Sequence, residues 1–106
     1  MIKITLRQLH YFDVLVRTGH FGRAAKVCAV SQSALSVQIQ DLESQLGVVL
    51  VERNRKGLAL TQYGEEIARR AADILSSVHD LVDHARQHKQ PLDGVLRLGI
   101  IPTVAP

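Results

Sequence analysis

The sequence predicts a mainly α-helical chain: three short helices, a β-hairpin, then one long helix. Three observations predict it. Apolar residues recur at helical spacing in four separate segments. Glycines at positions 19 and 47 close the first and third of these, because glycine adopts without penalty the left-handed backbone that ends a helix. Between the third and fourth segments, two short apolar runs flank Asn54-Arg55-Lys56-Gly57, a turn sequence.

The first helix is expected over Leu6–Thr18, with Thr5 as its N-cap and Leu6, Leu9, Phe12 and Val16, joined by Tyr11 and Leu15, as its apolar stripe. The second is expected over Phe21–Cys28. Its buried side is Phe21, Ala24, Ala25 and Cys28, at the i, i+3, i+4, i+7 spacing, and the paired alanines let a neighbouring helix approach closely. Val30 reads as an apolar plug in the turn that follows. Ser31 then caps a third helix over Gln32–Leu46, whose core stripe is Leu35, Ile39, Leu42 and Leu46. The hairpin strands are expected at 49–53 and 58–60. Two strands alone are marginal, so the hairpin must lean on the helices. Three helices plus such a hairpin make a winged helix-turn-helix.

Thr61 caps the long fourth helix, expected over 62–89. Along it Ile67, Ala71, Ile74, Val78, Leu81 and Ala85 step by four and three residues, a heptad-like seam, with charges such as Glu66, Arg70, Asp73 and Asp83 on the outer positions. Roughly 25 helical residues reach on the order of 40 Å, farther than a small three-helix core can cover. The seam is therefore expected to make a homodimer. A polar stretch at 88–94 ends the helix, and 95–101 reads as a buried strand with no partner in the chain. The expected organisation is a winged helix-turn-helix at 1–61, a linker and dimerisation helix at 62–90, and at 91–106 the hinge and first strand of a further domain of a longer protein.

Composition narrows the function. The chain has 106 residues and is 46% apolar, enough for one packed domain. Residues 1–62 hold eight basic and four acidic side chains, and residues 63–106 five and six. The basic excess thus coincides with the helix-turn-helix, as a phosphate-binding surface requires. Cys28 is the only cysteine, which excludes an intramolecular disulfide and a thiolate metal cluster. Its place beside Ala24 and Ala25 suits a small buried hydrophobe. No secretory signal and no apolar run of about 20 residues is visible, so a cytoplasmic, nucleoid-associated protein is expected. No catalytic serine elbow, phosphate-binding glycine loop or Cys/His set appears, and no enzymatic activity or cofactor is expected. Asp80, His84 and His88 stand four apart, but they lack an obvious third strong ligand and read as a solvated face rather than a metal site.

The third helix carries the chemistry. Gln32, Ser33 and Ser36 lie off its apolar stripe and put hydrogen-bonding groups where a recognition helix meets base edges. Val37 and Gln40 continue that face. An exposed valine there suits a thymine methyl group and predicts an A/T-leaning half-site. Arg23 and Lys26, on the outward side of the second helix, are candidate phosphate clamps, and His20 is within reach of the same role. A two-fold dimer places two such helices on successive half-sites, so the expected target is an interrupted palindrome in double-stranded DNA. The competing class is a module that binds only proteins, and salt-dependent, sequence-selective DNA binding discriminates the two.

These elements resemble, in order and spacing, the N-terminal domain of LysR-type transcriptional regulators. The resemblance rests on Leu6, Leu9, Tyr11 and Phe12; Gly19-His20-Phe21 with Ala24-Ala25; Val30-Ser31-Gln32-Ser33-Ala34-Leu35-Ser36; Ile39, Leu42-Glu43 and Leu46-Gly47; Glu52-Arg53; and Leu60-Thr61 with Gly64. It implies that the third helix enters the major groove and that wing residues Arg55 and Lys56 follow the backbone and minor groove. Arg53 has two readings, a DNA contact or an internal ion pair with Glu52. The sequence departs from the family's pattern at Ser33, where proline is common, and at Val37, where arginine is common. A narrower resemblance, over residues 98–106 together with 28–32, is to the peroxide-sensing OxyR subfamily. It implies peroxide sensing in the full-length protein with Thr103 at the effector pocket, the alternative being a small organic effector. It also implies a tetramer in the full-length protein and RNA polymerase as a partner.

Overall fold

The computed structural model describes residues 3–54 and 57–87. Helix α1 (Leu6–Thr18) starts in a reciprocal cap. The Gln8 backbone N–H donates to Thr5 Oγ1 at 3.0 Å, and the Thr5 N–H donates to Gln8 Oε1 at 3.2 Å. Gly19, at φ 69°, ends the helix. Helix α2 (Phe21–Cys28) ends at Ala29, which takes a left-handed φ of 58°. Helix α3 (Gln32–Leu46) is capped by Ser31, whose Oγ accepts from the Ala34 N–H at 3.0 Å. Strands β1 (Val51–Asn54) and β2 (Gly57–Leu60) pair antiparallel, with Val51 opposite Leu60 and Arg53 opposite Leu58. Helix α4 (Gln62–Gln87) begins where Thr61 Oγ1 accepts from the Gly64 N–H at 2.9 Å.

The chain divides into two units at Leu75/Ser76. In the first, Phe12, Leu15, Ala24, Leu35, Ile39, Leu42 and Leu50 form the centre of one apolar cluster, each 0–1% exposed. Stripes on α1, α2 and α3 meet there, and the start of the wing closes it with Leu50. In the second unit the described residues, 76–87, are helical and exposed apart from a half-buried Val78.

The bounds of α1, α2 and α3 and the start of α4 agree with expectation. The expected end of α4 at 89 and the strand at 95–101 lie outside the described residues. Three details differ. Leu6 is 49% exposed, and Gln8 is buried instead. Gln8 Nε2 donates to Asp41 Oδ2 at 2.6 Å and to Gln38 Oε1 at 3.3 Å, so this polar side chain enters the core edge fully hydrogen-bonded. The first strand begins at Val51 rather than 49, because the backbone N–H groups of Leu50 and Val51 both donate to Glu43 Oε2, at 2.8 and 3.2 Å. They are satisfied by a side chain before the β ladder starts. The third difference concerns α4. Ala71 is 1% exposed and lies in the core of the first unit, with Ile67 packed partly against it. Within this half of the seam, Ala71 is covered by its own domain and Ile67 is covered in part.

Along the same helix, Arg69 and Arg70 both donate to the Glu66 carboxylate, Arg70 at 2.8 Å, and hold its pKa below the ordinary glutamate value. The stabilisation is present at neutral pH and is lost as pH falls through the carboxylate range. At this exposed site it is small and salt-sensitive.

Candidate nucleic-acid interface

The leading end of α3 is held by short-range chemistry. Ser31 caps it, and the αL backbone at Ala29 brings the chain round from α2, with the Val30 N–H donating to the Ala25 carbonyl at 3.0 Å. Leu35, Ile39 and Leu42 face the core, which leaves the opposite strip to solvent. Gln32, Ser33, Ala34, Val37 and Gln40 are all exposed on that strip, Val37 by 58%. Ser36 stands at its edge, half-buried.

Arg53 joins the wing to this end of α3. Its Nη2 donates to Ser36 Oγ at 2.7 Å, and its guanidinium carbon lies 3.9 Å from the centroid of the Phe21 ring. A cation over an aromatic face is held by the ring quadrupole. No ion pair joins Arg53 to Glu52 among the described residues. Of the two readings of Arg53, the pair with Glu52 is therefore replaced by a hydroxyl and a ring from two different helices. Ser36 is committed in the same contact.

His20 has a structural task that the sequence reading missed. Its Nδ1 accepts from the Arg23 backbone N–H at 3.2 Å and caps α2. His20, Gln32, Arg53, Asn54 and Gly57 line one shallow cavity of about 200 Å³ between the wing and the head of α3. The structure thus gathers three of the sequence-predicted residues around a single concavity. Arg23 and Lys26 are exposed on α2, beside an exposed Val27. Ala34 was also missed as a surface residue. Its signal was available, since it occupies the position before Leu35 on a helix already phased by its core stripe. Arg55 and Lys56 at the wing tip lie outside the described residues, as do His88 and Thr103.

Cys28 is half-buried, and that burial raises its pKa, so the side chain is a thiol at neutral pH and a poor nucleophile. Among the described residues no group of three His, Cys, Asp or Glu side chains is placed to hold a metal ion. On α4, Ile74 is 43% exposed within the first unit. In the second, Leu81 is 67% exposed, Ala85 is exposed and Val78 is half-buried. Val82, which the heptad reading passed over, is also exposed.

Residues 6–65 match the model of the bacterial regulatory helix-turn-helix proteins of the lysR family. The chain is 48% identical over 102 residues to the HTH-type transcriptional regulator EstR of Acinetobacter baylyi, covering 96% of this chain and 34% of that protein. It is 41% identical over 103 residues to the DNA-binding transcriptional dual regulator OxyR of Escherichia coli, covering 97% and 34%. The chain therefore spans about a third of the length of these curated relatives. Among solved structures, the DNA-binding domain of CbnR in complex with DNA is similar with a TM-score of 0.75 at 38% identity, over 80% of this chain and 98% of that one.

Proposed function

We propose that this chain, which belongs to the lysR family of bacterial regulatory helix-turn-helix proteins, binds double-stranded DNA sequence-selectively by placing the head of α3 in the major groove. One observation carries the reading. An exposed strip of Gln32, Ser33, Ala34, Val37 and Gln40 stands free of the core, with the cation Arg53 bonded to Ser36 at its edge and the cations Arg23 and Lys26 exposed on the preceding helix. The two glutamines suit adenine edges, the serine hydroxyl suits several bases or a phosphate, and the cations suit phosphates. Likeness to a domain solved on DNA supports the same orientation. His20 belongs to the phosphate-facing rim, and the wing tip at Arg55 and Lys56 follows the backbone.

The active form is a homodimer joined through Ile74, Val78, Leu81, Val82 and Ala85. It reads an interrupted palindrome, acts in the cytoplasm on the nucleoid, and in the longer protein assembles as a tetramer that meets RNA polymerase. Among the described residues no helix is long and apolar enough to cross a membrane. Relatives named hydrogen peroxide-inducible genes activators, 41–44% identical over 96–97% of the chain, support a peroxide response in the longer protein.

Equilibrium titration of duplex DNA at several salt concentrations tests the DNA reading. The expected result is selective binding whose affinity falls steeply with salt. Arg23→Gln and Lys26→Gln should each flatten the log–log salt slope by about 1 and weaken all sequences alike. Steep salt dependence without selectivity would indicate an architectural protein, and no binding at low salt a protein-only module. Footprints of the full-length protein upstream of its own gene, with and without peroxide, test the effector. An unchanged footprint would favour a small organic effector.

A further inference from the structure

We propose that Val37, seconded by Ala34, reads thymine methyl groups, so that the half-site is selected by an apolar contact rather than by a cation on guanine. The inference rests on the DNA-binding reading and names what the head of α3 recognises. From Gln32 to Gln40 no side chain is charged. Val37 is 58% exposed in the middle of that stretch, and Ala34, one turn earlier, is exposed on the same strip. A β-branched side chain on an exposed helix position loses rotamer freedom and is a poorer helix former than alanine. Nothing among the described residues covers it.

The chemistry of the groove decides what does. Base edges in the major groove offer hydrogen-bond donors, hydrogen-bond acceptors and one apolar group, the C5-methyl of thymine. The two apolar side chains of the strip, Val37 and Ala34, complement only the last. The guanine edge, with two acceptors, calls for arginine or lysine, and the strip has neither. The nearest described cation on the wing, Arg53, is held by Ser36 and the Phe21 ring. Gln32 and Gln40, at the two ends of the strip, match the adenines that pair with thymines. Residues 34 and 37 lie about 5–6 Å apart on the helix surface, close enough to address neighbouring base pairs.

The test uses deoxyuridine, which differs from thymidine only by the missing methyl. Half-sites are first selected by the chain from a random duplex pool, and each thymine in the recovered site is then replaced singly. At least one replacement should weaken binding about 4-fold, the factor for one buried methyl group. In Val37→Ser, which replaces the apolar tip with a hydroxyl, the same replacement should have no effect, with the melting temperature and salt slope close to those of the parent. Placing 5-methylcytosine at that position should recover part of the affinity that unmethylated cytosine loses. The proposal is overturned if every thymine tolerates uracil while binding stays selective. It is equally overturned if Val37→Ser stays as sensitive to the methyl group at that position as the parent, or if the recovered sites read guanine opposite residue 37. If no duplex is selected at all, the DNA-binding reading itself fails, and this inference with it.

Discussion

Gly64→Ala should lower the melting temperature by at least about 10 °C. A Cβ at this position would stand 2.0 Å from the Leu50 carbonyl oxygen and 3.0 Å from its carbon. The obstacle is backbone, and it is pinned on several sides. The Leu50 carbonyl accepts from the Thr61 N–H at 3.0 Å and from Thr61 Oγ1 at 3.2 Å, its N–H donates to Glu43, and its side chain is fully buried. Relief requires that α4 withdraw from the wing or that this hydrogen-bonded corner break. Overpacking of this kind costs about 1–3 kcal/mol and occasionally more, and an unyielding backbone oxygen puts the site at the upper end. For a domain of this size each kcal/mol shifts the midpoint by about 4–8 °C. Gly19→Ala is the control. Open space surrounds that Cβ, and only the left-handed φ of 69° opposes it, at about 1–2 kcal/mol. A Gly64→Ala protein that melts within a degree or two of the parent would show that the helix and the wing do not meet so closely.

Glu43→Ala should be comparably damaging, at about 2–5 kcal/mol. Four backbone N–H groups terminate on this one residue. Those of Gly47 and Val48 reach its carbonyl, at 2.8 and 3.3 Å, and those of Leu50 and Val51 reach its carboxylate. Alanine keeps the first pair and orphans the second. A buried donor left without a partner costs about 1–3 kcal/mol, and Leu50 is fully buried. Glu43→Gln retains one acceptor oxygen without the charge and should lose about half as much. Amide hydrogen exchange separates this account from general loosening. Exchange at Leu50 and Val51 should accelerate more than at the α1 amides in Glu43→Gln. Uniform acceleration throughout the domain would refute the assignment.

Most of the fold was legible because its punctuation is local. Thr5, Gly19, Ser31 and Gly47 each act on groups within four residues, and those four positions set the helix bounds. The missed features act across the fold. Gln8 appears to interrupt an apolar stripe until Asp41, on another helix, is seen to receive its amide. Glu43 looks like a solvated charge at the end of α3 until β1 arrives beside it. Gly64 carried the family resemblance, yet only the packing of Leu50 shows why a side chain is excluded. The seam on α4 is divided for a different reason. Periodicity reports which residues share a face, not which surface covers them, so Ala71 and Ile74 look alike in the sequence while one is core and the other is 43% exposed. At the candidate interface, helical phase alone exposed the strip at Gln32, Val37 and Gln40. The choice between two partners for Arg53 needed Phe21 and Ser36 in space.

The uncharged head of α3 separates two quantities that are usually entangled. Only cations displace counterions from DNA on docking, and between Gln32 and Gln40 there are none. On the proposed reading, when osmotic stress concentrates potassium inside a bacterium, the grip supplied by Arg23, Lys26 and the wing should weaken on every site by the same factor. The ranking among sites that methyl groups and amides would set should stay where it was.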